Sequence, residues 1–136
     1  MDKHKQTLHA VKMYRQLQAL FHAFNATAQE TFPRGNEYGI EILEGDAISR
    51  RFLILDNPCR VRFDVTLLQG RMLGEMHFER LLAEDRTKEL LAVEFDHEAN
   101  ATHDPDAGSF PNSLRTPGDL RQWLAIELLQ RFFASL

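Results

Sequence analysis

The stretch RVRFDVTLLQGRMLGEMHFER, residues 60–80, decides the fold, because apolar and polar side chains alternate through it on both sides of a glycine. Alternation with period two is typical of a half-buried β-strand. The apolar positions share one face in each half of the stretch: Val61, Phe63, Val65, Leu67, Met72, Gly74, Met76 and Phe78. Residues 60–80 therefore predict an antiparallel hairpin with one buried face and one wet face.

Two turns would close this hairpin with the same faces. A turn at Gly70-Arg71 suits type II′, which takes glycine first, and it sets Asp64 opposite His77. A turn at Gln69-Gly70 sets Asp64 opposite Glu75 instead, and like charges directly opposite each other destabilise a sheet. We therefore predict the Gly70-Arg71 turn.

Length and composition favour one globular domain over residues 1–136, with 43% hydrophobic residues and ten Phe to form a core. The net charge of −4 argues against a nucleic-acid-binding surface. No apolar run resembles a secretory signal or is long enough to span a bilayer. The single cysteine excludes a disulfide within the chain and fits a reducing compartment. We expect a cytoplasmic protein that binds neither nucleic acid nor a membrane.

Two amphipathic helices flank the strands. Residues 5–31 carry apolar side chains at steps of three and four, and residues 117–135 repeat this pattern after Thr116, the expected N-cap. The basic start of the first helix is also found in helices that lie on membranes or nucleic acid. The apolar stripe favours a helix that covers the core.

Further strands are predicted at residues 37–45 and 48–56, with Asn57-Pro58 ending the second and Cys59 following in a turn. Residues 81–98 are rich in helix formers, but they close with period two and favour a strand. Residues 99–115 have the composition of a loop. The prediction is an α+β fold: an N-terminal helix, an antiparallel meander sheet of about five strands and a C-terminal helix, with both helices on one sheet face.

Charged side chains on the wet sheet face form the first candidate site, for binding a partner: Arg62, Asp64, Glu75, His77, Glu79 and Glu94. Carboxylates beside a histidine suit acid–base chemistry. Cross-strand ion pairs on a wet face explain the same residues without any function.

The second candidate site is an acidic, histidine-containing segment at residues 94–106. Carboxylates and imidazoles ligate divalent metals, and the candidate ligands are Asp96, His97, His103 and Asp104, with Asp106 nearby. The spacing matches no His-Glu-x-x-His or calcium-loop motif. A solvated acidic loop is the more ordinary explanation.

No catalytic motif and no cofactor motif occurs in the sequence, so we predict no catalytic residues and no cofactor. The expected function is that of a small acidic protein-binding module, an adaptor, chaperone or inhibitor, and its outline and charge resemble those of small bacterial secretion chaperones and toxin-neutralising immunity proteins. A basic protein is the expected partner, and a homodimer is compatible with the sequence. The alternative is a small metal-dependent or acid–base enzyme that uses residues 94–106.

Overall fold

The computed structural model describes residues 2–33, 35–104, 110–115 and 117–136, the last without the side chains of residues 117–119. The helices are α1 (Lys3–Ala26), the short α2 (Ala28–Thr31) and α3 (Pro117–Ala134). The strands are β1 (Ile40–Gly45), β2 (Ser49–Ile54), β3 (Asn57–Leu68), β4 (Arg71–Leu81), β5 (Thr87–Phe95), β6 (Asn100–Thr102) and β7 (Asn112–Ser113). Each strand pairs antiparallel with the next in one sheet, which confirms the α+β class and the meander.

The sheet has seven described strands, so the prediction of about five was wrong. The additional strands, β6 and β7, lie in residues 99–115, which the composition predicted to be a loop. Ala101 pairs with Phe95 on one side and with Asn112 on the other. Strands of three and two residues are too short for an alternating pattern to be visible in the sequence.

The predicted hairpin register was also wrong, because the turn lies at Gln69-Gly70 and sets Asp64 opposite Glu75. Both turn residues have positive φ, 53° and 75°, as a type I′ turn requires. The twist of this turn matches the right-handed twist of the flanking strands. Arg62 lies 3.6 Å from Asp64, which offsets part of the like-charge repulsion.

A second two-residue turn, Leu55-Asp56, also has positive φ at both positions and joins β2 to β3. The prediction that Asn57-Pro58 ends a strand was therefore wrong, since Asn57 begins β3. Proline is tolerated at the start of a strand, where ladder hydrogen bonding begins. Cys59 consequently lies buried inside β3 rather than in a turn, and burial raises the pKa of its thiol to about 11.

The core lies between the helices and the apolar sheet face, as predicted. α1 packs on β3 and β4, while α3 packs on β5 and β7. The predicted core residues form one cluster, in which Val65 is half-buried and the others are buried: Leu17, Phe21, Phe24, Phe63, Val65, Met76, Phe78, Val93, Phe95, Leu124 and Leu128. Gly74 lies opposite Phe95, whose ring occupies the space that a Cβ at Gly74 would need.

The N-terminal part of α1 departs from the predicted core-covering helix. All residues from Asp2 to Lys12 are exposed, including the apolar Leu8 and Val11. The first turns of α1 therefore lie outside the core. None of the described helices combines the length and the apolar character that crossing a membrane requires. The expected N-cap Thr116 lies outside the described residues.

Candidate functional site

Glu79 is the centre of an ion-pair cluster on the open face of the sheet. One carboxylate oxygen accepts a hydrogen bond from Arg62 Nε at 2.8 Å, and the other accepts from Arg60 Nη2 at 2.9 Å. Burial by itself would raise the pKa of Glu79, but the hydrogen bonds and charges of Arg62 and Arg60 outweigh it and hold the pKa below its usual value. Glu79 is thus a buried, fully paired carboxylate that holds β3 to β4.

Three carboxylates, Asp64, Glu75 and Glu94, form a second feature, which we call the carboxylate row. They lie directly opposite one another across β3, β4 and β5. Directly opposed residues have their Cβ atoms about 4.5–5.5 Å apart, so these charges repel. The row is therefore an acidic strip that neighbouring cations neutralise only in part.

Glu94 is the least compensated member of the carboxylate row. Its Oε2 atom is buried and has no hydrogen-bond partner among the described residues. Burial raises the pKa of Glu94, and the adjacent charge of Glu75 raises it further. A buried carboxylate oxygen without a donor is costly, so a cation or a hydrogen-bond donor placed here would be stabilised.

His77 lies beside the carboxylate row. Its Nδ1 atom hydrogen-bonds to Glu89 Oε1, which leaves Nε2 facing Glu75 at 3.5 Å. One ligand atom from each of Asp64, Glu75 and His77 lies within 4.8 Å of the others. Two carboxylates and an imidazole whose other ring nitrogen, Nδ1, is held by a hydrogen bond form a set of ligands that suits a divalent cation.

The structure places all the residues of the first candidate site on the open face: Arg62, Asp64, Glu75, His77, Glu79 and Glu94. Two further members of this surface, Arg60 and Glu89, were not among the predicted residues. Arg60 follows the same alternation as Arg62 and could have been predicted. Glu89 could not, because a bulge in the β4–β5 ladder shifts it into its place opposite Glu79. That this surface binds a partner stays a prediction.

Asp96 and His97, from the second candidate site, lie in the turn after β5. One oxygen of Asp96 accepts from the amides of Glu98 and Asn100, and the other accepts from Arg71 Nη2 at 3.1 Å. These bonds give Asp96 a structural role in the turn. His97 is exposed, 3.8 Å from the carboxylate of Glu98.

His103 and Asp104 follow β6. The His103 ring packs on Trp123 with centroids 5.1 Å apart, and the amide of Asp104 donates to the hydroxyl of Thr102. Among the described residues, the three-ligand group lies on the open face and includes none of the second-site residues. Asp106 lies outside the described part of the chain, and metal binding at residues 94–106 stays a prediction.

Glu94→Gln removes the repulsion between Glu94 and Glu75, which lie opposite each other. It is expected to raise the free energy of unfolding at pH 7 by about 0.5–1 kcal/mol, which is the upper part of the range for cross-strand charge pairs. A carboxyl whose pKa is raised by folding binds its proton more tightly in the folded state. Stability therefore falls as pH rises through the window above the usual carboxyl pKa, so the penalty is larger at pH 7 than at pH 4. Urea unfolding should show a higher free energy of unfolding for Glu94→Gln than for the wild type at pH 7, and this difference should disappear near pH 4.

Glu79→Gln is the matched comparison on the same face of the sheet, and its effect should have the opposite sign. The pKa of Glu79 is lowered, so its contribution to stability is present above the usual carboxyl pKa and is lost as pH falls. Loss of hydrogen bonds to charged groups costs about 1.5–3 kcal/mol, and we expect this cost at pH 7. Equal effects of the two substitutions would contradict the assignment of one paired and one unpaired carboxylate.

The chain was also compared with known proteins. No family model, no curated protein sequence and no solved structure matches it.

Proposed function

We propose that this protein is a small acidic protein-binding module, of the adaptor, chaperone or inhibitor kind, whose open sheet face receives a basic segment of a partner protein. The observation that carries the proposal is the carboxylate row with its unpartnered buried oxygen, Glu94 Oε2. A lysine or arginine side chain of the partner would donate to Glu94 and lie against Glu75. It would thereby relieve both the missing hydrogen bond and the like-charge repulsion.

The energetics of the free protein support this assignment. Cross-strand carboxylates in register weaken the sheet, and natural sequences usually break such local rules at functional sites. Glu79 shows the contrasting arrangement, in which two arginines of the same chain satisfy one carboxylate. In the row, by contrast, Glu94 Oε2 has no such partner among the described residues.

Other features agree with a binding module. Burial keeps the Cys59 thiol protonated at neutral pH, which makes it a poor nucleophile. A cytoplasmic location, as the single cysteine suggests, belongs to the same proposal. A second copy of the chain is an alternative partner, because the exposed start of α1 supplies Lys3, Lys5 and Lys12.

The test measures binding of a fluorescent lysine- and arginine-rich peptide at low and high salt. Glu75→Gln with Glu94→Gln should weaken binding about tenfold or more, the effect of losing one hydrogen bond to a charged group. The control is Glu84→Gln with Asp85→Asn, which removes the same charge from the exposed turn between β4 and β5. It should change binding only slightly, and only at low salt.

Equal weakening by both pairs of substitutions would show that the peptide responds to net charge alone and would contradict the proposed site. Analytical ultracentrifugation distinguishes the alternative partner. If the wild type is a dimer that the Glu75 and Glu94 substitutions dissociate, a second copy occupies the face.

A second candidate function is divalent-metal-dependent chemistry at the open face. The observation that favours it is the mutual approach of Asp64, Glu75 and His77, whose ligand atoms lie within 4.8 Å of one another. A metal ion bound there would act as a Lewis acid or lower the pKa of a bound water.

Zinc and manganese titrations followed by thermal unfolding separate the two functions. Under the protein-binding proposal we expect no saturable rise in Tm, whereas specific metal binding raises Tm by linkage. If a rise occurs, its loss in His77→Gln assigns the metal to the open face. Its loss in His97→Ala with His103→Ala assigns the metal to residues 94–106.

A further inference from the structure

α1 has a second, exposed face on the side of the helix that points away from the sheet. Its buried face carries Leu17, Phe21 and Phe24, which pack in the core. Exposed residues recur at steps of three and four on the opposite side, and we call them the outer face of α1: Lys5, Leu8, Val11, Lys12, Arg15 and Ala19. Every residue of α1 before the half-buried Met13 is exposed, so the outer face begins beyond the edge of the core.

The charge of α1 is opposite to that of the rest of the chain. α1 contains none of the 20 Asp and Glu residues and four of the 16 Lys and Arg residues, namely Lys3, Lys5, Lys12 and Arg15. Its formal charge is therefore +4, and that of the remaining residues is −8, because only twelve basic residues accompany the 20 acidic ones. A helix with several cations and no carboxylate is attracted to an anionic surface.

Apolar side chains lie among these cations. Leu8 is 55% exposed and Val11 is 44% exposed. Both belong to a shallow depression whose described lining residues all lie on α1: Leu8, Val11, Lys12, Arg15, Gln16 and Ala19. A single convex helix gives a peptide only one wall to bind, whereas it fits a lipid surface. There, apolar side chains enter the boundary between headgroups and acyl chains while the cations stay with the headgroups.

The position of the acidic surface favours the same occupant. The carboxylate row lies on the open face of the sheet, and α1 packs on the apolar face. When the outer face of α1 lies against an anionic bilayer, the carboxylate row therefore points away from the lipid. The attraction of the cations is then opposed as little as possible by repulsion of the carboxylates.

We infer that the outer face of α1 docks on a bilayer that contains anionic phospholipids, with Leu8 and Val11 between the headgroups and the cations against the phosphates. A membrane partner differs from the expectation drawn from the sequence, in which the apolar stripe of α1 serves only to cover the core. The open face of the sheet stays accessible in this orientation, so membrane docking does not depend on the proposed function.

Co-sedimentation with vesicles tests the docking. Vesicles of phosphatidylglycerol mixed with phosphatidylcholine should bind the protein at low salt and release it at high salt, and vesicles of phosphatidylcholine alone should not bind it. Lys5→Gln with Lys12→Gln and Arg15→Gln should lower the partition coefficient about a hundredfold, since each cation near such a surface contributes about fivefold. Absence of binding to the anionic vesicles at low salt would overturn the inference.

Leu8→Gln with Val11→Gln tests the apolar part of the outer face. These substitutions should weaken binding to the same vesicles about tenfold or more, because two side chains lose their burial in the lipid. Wild-type binding by this variant would contradict the insertion of Leu8 and Val11. Both sets of substitutions should leave Tm close to that of the wild type, since all five residues are exposed.

The charge control removes three exposed cations outside α1, at Arg51, Arg86 and Lys88. Substitution of these three by Gln changes the net charge by the same amount and should leave vesicle binding nearly unchanged. An equal loss of binding in both triple variants would show a response to net charge alone and would overturn the assignment to α1.

Two other occupants of the outer face would also overturn the inference, and each has its own signature. If a glutamate-rich peptide binds through Lys5, Lys12 and Arg15 and the vesicles do not, an acidic protein is the partner. If the protein alone sediments as an oligomer that the α1 triple variant dissociates, and vesicles are not bound, a second copy is the partner.

Discussion

Phe63→Ala is expected to lower the free energy of unfolding by about 3–5 kcal/mol. Phe63 is 8% exposed and lies ring to ring with Tyr14, Phe21 and Phe95, at centroid distances of 5.6, 5.5 and 6.3 Å. It therefore joins α1 to β3 and β5. Truncation removes its burial and its aromatic contacts, and leaves a cavity between helix and sheet that the flanking rings fill only in part. Urea unfolding of the variant beside the wild type measures the cost.

Phe133→Ala is the matched control, because Phe133 is 55% exposed on α3. Surface substitutions usually change stability by no more than about 0.5 kcal/mol, and we expect this for Phe133. The same loss of ring atoms is thus compared inside and outside the core. Similar costs for both substitutions would show that the apolar face of β3 had been assigned to the wrong side of the sheet.

The buried face of the sheet could be predicted because it does not depend on register. Side chains alternate along β3 and β4 whichever residues form the turn, so Phe63 and Met76 face the core in both registers. The register itself could not be predicted from pairwise charge rules. Repulsion between Asp64 and Glu75 is small and is partly offset by Arg62, whereas the turn geometry acts on the whole hairpin.

The sequence pattern also could not predict that the carboxylates of the open face have different roles. Alternation places Glu79 and Glu94 on one face, but it does not reveal which of them an arginine reaches. Glu79 lies between two arginines because Arg60 is directly opposite and Arg62 is one pleat away. Glu94 has Glu75 opposite instead. The Glu75–Glu94 pairing depends on the β4–β5 register, which alternation does not specify. The error in the predicted turn affected the β3–β4 pairs, since it set Asp64 opposite His77 rather than Glu75.

The buried arginine of α3 was missed although the sequence carried a signal for it. Arg121 precedes the buried Ala125, Leu128 and Phe132 by 4, 7 and 11 residues, which places it on the apolar arc of the helix. The prediction for residues 117–135 rested on the apolar side chains alone. A charged residue at a core position of a helical pattern instead indicates a buried group with specific partners.

Arg121→Met is expected to cost about 2–4 kcal/mol, because it removes the donors that cap the C-terminal end of α1. The guanidinium donates to the carbonyls of Phe24 and Thr27, and its carbon lies 4.7 Å from the centre of the Phe24 ring. A cation at this end also interacts favourably with the helix dipole. Relief of the buried charge offsets part of the loss, but the carbonyls and threonine hydroxyls remain buried with fewer partners. Methionine retains most of the side-chain volume, so the cost reports the polar interactions rather than a cavity.

Arg131→Met is the control on the same helix, since Arg131 is exposed and lies 3.8 Å from Glu127 in an i,i+4 pair. Such pairs contribute about 0.3–0.5 kcal/mol. Hydrogen exchange should locate the damage in Arg121→Met at the amides of Glu30 and Phe32, which bond to Thr27 and Ala28 at the junction of α1 and α2. If Arg121→Met instead proves neutral or stabilising, desolvation of the guanidinium outweighs its four hydrogen bonds. The buried cation would then be a net cost to the folded protein.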